Sequence, residues 1–456
     1  MERNKGITLV ALIITIVVML ILVAVSINIL IKSNLIGITD KTVNKYKTAS
    51  EDESNSGVIE IDGKKYSSID DYMSGKEKLP DIVAGKFATE KSNYNGAVIP
   101  AGFTVSGIPS EQSIENGMVI YDIPEKDFTD GKVNWTATEK VGDEDSSDCY
   151  TIQKQYNQFV WIPVETPYVT KAELDKIIDD SNGAITTEQA ALQSLADSGK
   201  YPMAVQLANE TDYRGVLYSF VEGNNKVSIT VTDFSTTDNY NDGSIFYYRE
   251  PAKLSSKSTL FVNQTKEKEL DLQTEYNNIV KSVKEQKGFW VARYELSHST
   301  VEEINKAESK RGKEVSSALA SSLNTWYGLY STCKNVNLQS GIGMQGSMIY
   351  GSQWDQIMIW MKDEKNGSKF YILDSSSKGN FSTSIGGTGT AQVSGYKDNY
   401  VVKQIFDLGG NLSEWTTVAA NADFRTMMGG NYGDISTSDA SLSYRSSRSW
   451  CSGTYY

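Results

Sequence analysis

The chain has 456 residues and a formal net charge of −13, which excludes nucleic acid as a partner, because that affinity requires a basic face. The same acidity gives no attraction to anionic lipid headgroups and favours solubility outside the cell. Three cysteines, Cys149, Cys333 and Cys451, contain no CxxC pair, so neither a disulfide scaffold nor a zinc ribbon is encoded. The single histidine, His298, excludes His-rich metal sites and leaves one imidazole for any triad chemistry.

In chain order, residues 1–6 form a short basic leader and Ile7 to Ile31 is apolar almost without a break. A helix of about 25 residues at ~1.5 Å rise each spans a hydrocarbon core with some tilt. Arg3 and Lys5 lie ahead of it, so the positive-inside tendency keeps the N-terminus in the cytoplasm and sends the remainder out. The run Lys5-Gly6-Ile7-Thr8-Leu9-Val10-Ala11 resembles the N-terminus of type IV pilin-like (prepilin) proteins. That resemblance implies cleavage by a prepilin peptidase between Gly6 and Ile7 and assembly with pilin-like subunits. The chain departs from the family at Ala11, where a glutamate usually registers subunits in the fibre. An unprocessed signal-anchor helix is the alternative.

Residues 32–92 read as a helical extension to about Glu53, a small hairpin and a linker. The hairpin is Val58–Tyr66, turning at Asp62-Gly63, and the linker is Pro80 to Glu90. The main domain is expected over 93–456. Short β-type runs at Ala97–Pro100, Phe103–Val105, Met118–Asp122 and Gln158–Val164 are bounded by Gly and Pro. Lys171 to Gly199 is a helical insert, with a capping box over Thr186–Gln189 and a glycine stop. A helix over about Leu270 to Gln286 carries Leu272, Tyr276, Ile279, Val280 and Val283 on one face and feeds a strand over Gly288–Glu295. A third helix is expected over Gln353 to Lys362 with Ser352 as N-cap. Short strands, a few helices and long polar connections give an α+β fold with much irregular structure.

Three C-terminal segments come in a recognisable order: Phe406-Asp-Leu-Gly-Gly-Asn-Leu-Ser-Glu-Trp415, Phe424-Arg-Thr-Met-Met-Gly-Gly-Asn-Tyr432, and Tyr444-Arg-Ser-Ser-Arg448. With Gln158–Pro163, Gly288–Glu295 and Met348–Asp355, they resemble the formylglycine-generating enzyme (sulfatase-modifying factor) superfamily, a C-type-lectin-like fold. The resemblance implies calcium held by the Asp407 and Glu414 side chains and the Gly410 and Leu412 carbonyls. The spacing alone fits either a hard-cation site or two hydrogen-bonded turn carboxylates. Catalysis in that family needs cysteines near the Gly-Gly-Asn-Tyr segment, and residues 426–450 contain none. Its iron-dependent relatives need several histidines. The expectation is therefore a retained fold without the chemistry: no enzyme.

From Asn431 to Tyr456 the chain is rich in Ser, Gly, Tyr and Arg, a paratope-like composition. In some members of the resembling fold this region is diversified by a retroelement and binds ligand. Tyr432, Tyr444, Arg445, Arg448, Trp450 and Tyr455 are the candidate contacts, for an extracellular protein or glycan. Strand alternation puts Tyr444 and Arg448 on one face and Arg445 on the other, so one arginine contacts ligand while the other braces the fold. The expected protein is a single-pass, cell-surface or pilus-associated ligand binder. The alternative is a structural minor pilin without a specific ligand.

Overall fold

The computed structural model describes residues 59–61, 64–66, 78–223, 226–234, 272–297, 307–315, 326–334, 336, 338, 344–362, 371–419, 424–436, 441 and 443–449. The leader, the cleavage pair Gly6 and Ile7, the apolar run and its extension, His298, Trp450, Cys451 and Tyr455 lie outside them. Among the described residues no helix is long and apolar enough to cross a membrane. The chain divides into two compact units, Met1–Pro80 and Asp81–Tyr456. In the first, Ile59–Ile61 pairs antiparallel with Lys64–Tyr66, the expected hairpin.

The second unit is a mixed α/β assembly of short strands and few helices. It begins twelve residues earlier than the expected 93, and the stretch from Asp81 to Glu90 is not a linker. Phe87 bridges to Thr104, and Ala88 is buried against Phe103 and Val105. That apolar pair draws the segment into the core.

A four-stranded antiparallel sheet runs in the order Gly288–Ala292, Asn157–Pro163, Val119–Asp122, Thr104–Val105. The second of these strands is apolar on both faces because both are covered. Val160 and Ile162 enter one core cluster, while Phe159 and Trp161 enter another. Successive side chains point to opposite faces of a strand, so a continuous apolar run is what a doubly covered strand needs. One cluster also receives Trp354, Ile357 and Met358 from the helix Gly351–Met361. The helix Leu272–Gln286 buries Leu272, Tyr276, Val280 and Val283, as its spacing predicts.

Helix starts differ from the expected ones. The insert comprises Lys171–Asp180, with a capping box made by Thr170 and Glu173, and Glu188–Asp197, capped by Thr187 rather than Thr186. Gly199 ends it at φ +83°. Tyr350, not Ser352, stands at the N-cap of the helix that follows, because the Ser352 hydroxyl is turned inward to Tyr276 Oη at 2.8 Å. The strand expected to reach Glu295 ends at Ala292, and Trp326–Lys334 forms a helix the sequence pattern did not announce.

A second sheet, Glu414–Ala419, Phe424–Met428, Arg445–Ser449, carries the C-terminal segment. Its outer strand is tied inward by Arg445, whose guanidinium donates to Asp355 Oδ1 at 2.5 Å and to the Tyr218 carbonyl at 2.8 Å. Asp355 is fully buried and also accepts the Tyr218 N–H at 2.8 Å. Burial pushes the Asp355 carboxyl up, and Arg445 pulls against that shift. Removing one member of a buried pair strands the other charge, at a cost of about 3–5 kcal/mol. Arg445→Ala is therefore expected to lower unfolding free energy by about 3 kcal/mol or more in urea titrations followed by tryptophan fluorescence. A loss below about 1 kcal/mol would show that the pair does not brace the sheet.

Candidate functional site

The segment after the central sheet turns sharply, and the turn gathers the acidic side chains. Asp407 and Asn411 take left-handed backbone at φ +54° and +59°, with Gly410 at +86°. At Gly410 an added Cβ would stand 2.6 Å from the Asn380 carbonyl oxygen, so glycine is required by contact as well as by φ. Glu295 holds this turn from across the fold. Its Oε2 accepts Asn411 Nδ2 at 2.6 Å and its Oε1 accepts the Leu412 N–H at 2.8 Å. Asn411 Oδ1 in turn accepts Asn380 Nδ2 at 3.0 Å and the Gln392 N–H at 2.8 Å.

Three carboxyls share this region. Burial, with Asp407 nearby, raises Glu295 well above the ordinary carboxylate range, although its two donors oppose the shift. Burial pushes Asp407 to about 7, even though its Oδ2 accepts the Gly395 N–H at 2.6 Å. Burial, with Glu295 nearby, raises Glu414 likewise. Glu414 Oε2 has no hydrogen-bond partner, and neither does the buried Tyr371 hydroxyl. Both Glu414 Oε2 and the Leu408 carbonyl oxygen would lie 2.5 Å from a Cβ on Gly429. Gly429 has φ +84° and is required on both grounds.

Carboxylate and backbone carbonyl oxygens are the ligand type that a hard cation takes. Asp407, Glu414 and the Gly410 and Leu412 carbonyls suit calcium in donor type. Among the described residues no three His, Cys, Asp or Glu side chains converge closely enough to hold a metal by themselves, so backbone oxygens would have to complete the shell. The sequence reading missed Glu295 as a member of the group; the signal was an acidic residue closing an apolar strand.

Glu295 and Glu414 also line a cavity of about 490 Å³. Its wall is otherwise mainly apolar and aromatic, including Phe289, Trp290, Met344, Met348 and Trp415. Cys333 lines it too, but burial, with Glu275 nearby, pushes that thiol up to about 12. Burial raises the Cys149 thiol as well. Both thiols are free, and neither is a thiolate near neutral pH.

The expected ligand face divides. Tyr432 is partly buried in the turn 431–436, where its N–H donates to the Asn411 carbonyl at 3.1 Å. Asp434 Oδ2 accepts the Asn431 N–H at 2.7 Å and closes the turn. Ile435, which the sequence reading did not single out, stands 70% exposed on it. Tyr444 is partly buried at the start of the outer strand. Arg445 is withdrawn from the face by Asp355, a correction to its candidate contact role. Arg448 pairs with Arg425 through the backbone register, and its side chain lies outside the described residues.

Comparison with known proteins finds no match to this chain, among family models, curated proteins or solved structures.

The raised carboxyls set a pH dependence. A carboxyl whose folded pKa exceeds its unfolded value binds more protons when folded, so its stabilising contribution is complete below the unfolded pKa and is lost as pH rises. For Asp407 that window runs from 3.8 to about 7. In chelator, unfolding free energy is expected to fall across this window, by on the order of 4 kcal/mol if Asp407 acted alone. Asp407→Asn should flatten the slope. A parent domain equally stable at pH 4 and pH 7 in chelator would contradict the assignment.

Proposed function

We propose that the chain is a membrane-anchored, cell-surface protein displaying a non-catalytic, lectin-like ligand-binding domain. The apolar run over 7–31 is its single-pass anchor, with the domain outside the cell, and processing between Gly6 and Ile7 by a prepilin peptidase would place it among pilin-like subunits. The domain is read as a formylglycine-generating-enzyme-like, C-type-lectin-like fold on the ordered segments Phe406–Trp415, Phe424–Tyr432 and Tyr444–Arg448. Calcium held by Asp407, Glu414 and the Gly410 and Leu412 carbonyls would neutralise the buried carboxyls and stiffen the turn. The ion's part is electrostatic; no reaction is assigned to it.

The observation that carries the binding role is the 431–436 turn. Hydrogen bonds to Asn411 and within Asn431–Asp434 hold it, and yet it presents Ile435 to solvent, three residues on from the partly buried Tyr432. An exposed apolar residue on a hydrogen-bonded turn contributes contact area at little ordering cost. The proposed face is Tyr432, Ile435, Tyr444, Arg448, Trp450 and Tyr455, and its partner is an extracellular protein or glycan.

Ile435→Ser and Tyr444→Ala, on chain displayed at a cell or bead surface, are expected to cut adhesion to host-cell protein and glycan arrays at least tenfold, while melting temperature stays within a few degrees. Hot-spot truncations cost about 2 kcal/mol, which is that order of change. Folded variants that adhere as well as the parent would move the binding face elsewhere. A parent that adheres to nothing on either array would leave the structural minor-pilin reading in its place.

A further inference from the structure

The central sheet ends at Gly288–Ala292, and the cavity of about 490 Å³ lies against that end strand. Phe289, Trp290, Val291 and Ala292 all line it. Successive side chains of a strand point to opposite faces, so a cavity touched by four in a row lies along the edge.

The backbone at this edge is unpaired. Arg293 N–H donates to the Gln158 carbonyl at 3.1 Å, and Val164 N–H donates to the Lys287 carbonyl at 2.9 Å. With Phe289 opposite Ile162 and Val291 opposite Val160, the odd-numbered residues turn their backbone groups toward the neighbouring strand. The N–H and C=O of Trp290 and Ala292 therefore point outward, and no described residue pairs with them. Met344 to Ile349 also line the cavity without a break, and no described residue pairs with the backbone of Met344–Met348. Gly346 seats this segment on the helix Trp326–Lys334, where an added Cβ would collide with the Cys333 carbonyl.

Apolar side chains flank the gap on both faces of the sheet. Phe289, Val291 and Ile349 pack against one core cluster, and Trp290, Leu338 and Met344 pack against the other. The same two clusters cover the two faces of the strand Asn157–Pro163. The gap thus repeats the surroundings of a central strand, with open ladder groups at its side.

We infer that the cavity is a strand-addition site, which an extended segment of a partner polypeptide enters as a fifth strand, pairing with Trp290 and Ala292. These two residues lie two apart, so the pairing spans about three residues of the partner. Both faces of that segment meet apolar walls, so its chemistry is a short continuous apolar run, rich in Val and Ile. Backbone pairing gives such a site its affinity, and the walls on either face give it specificity. The site is distinct from the C-terminal face, so either can fail without the other.

The probe is a fluorescein-labelled, N-acetylated peptide, Thr-Val-Ile-Val-Thr-Lys, titrated with the full-length chain and followed by fluorescence polarisation. Saturable binding is expected. Methylating the backbone nitrogens of its first Val and its Ile removes a donor whichever parity faces the edge, and should weaken binding about tenfold or more. Ala292→Pro removes one outward N–H and leaves the ladder to Val160 and Ile162 intact. It should weaken binding of the unmodified peptide about fivefold, the effect of one hydrogen bond, while a melting curve checks that the variant folds. If Ala292→Pro does not fold, the methylated peptide decides. No saturable binding to the parent overturns the inference, the result expected if another part of the chain already fills the edge. Equal affinity for the methylated peptide overturns it by showing an apolar pocket without strand pairing, and unchanged affinity in folded Ala292→Pro overturns it by placing the peptide elsewhere.

Discussion

Everything C-terminal to the central sheet hangs on the contact between Glu295 and the Asn411–Leu412 backbone turn. Glu295 leaves the sheet two residues after Arg293, which is itself locked to Glu111 at 2.6 Å in a buried ion pair. Glu111 further accepts Ser106 Oγ, Tyr121 Oη and Gln153 Nε2, so the strand end cannot swing. From that fixed point the Glu295 carboxylate takes two donors of the 407–414 turn, and Asn411 relays the constraint to Asn380, Gln392 and Tyr432. The 431–436 turn and the sheet that begins at Glu414 are both tied to this relay.

The same arrangement creates an electrostatic debt. Holding Glu295 there brings it near Asp407 and Glu414, and burial raises all three carboxyls. Among the charges acting on Asp407, Arg311 is the cation that pulls it down, and it does not suffice. Two outcomes are open to such a group: it takes up protons, or it takes up a cation. Calcium is the proposed answer at the pH of a cell surface. It would convert a destabilising cluster into the rivet of the C-terminal half.

Much of the frame was legible in the sequence because its periodicities are local. Val160 and Ile162 alternate with Phe159 and Trp161, and Leu272, Tyr276, Val280 and Val283 recur at helical spacing; both patterns became the elements they announce. What failed depended on tertiary partners. Ser352 reads as a cap until Tyr276 claims its hydroxyl, and the stretch after Pro80 reads as a linker until Phe87 and Ala88 find the core. The turn carboxylates Asp407 and Glu414 were visible from the Gly-Gly-Asn spacing. Glu295 was not, because more than a hundred residues separate it from the turn it holds. Arg445 and Arg448 were read as one brace and one contact, and only the buried Asp355 decides that Arg445 is the brace. Nothing in the local pattern of Trp415 signals that its indole N–H finds no protein acceptor.

The central claim is that the buried acids beneath the C-terminal half are balanced by a cation. It is tested most directly by measuring calcium in the gel-filtered chain by mass spectrometry, alongside melting in calcium and in chelator. The account predicts about one calcium per chain. It also predicts a higher melting temperature in calcium, since an ion at ~100 times its Kd that binds only the folded state adds about 2.7 kcal/mol. Both effects should disappear in Glu414→Gln. A chain that carries no calcium and melts identically in calcium and in chelator would contradict it.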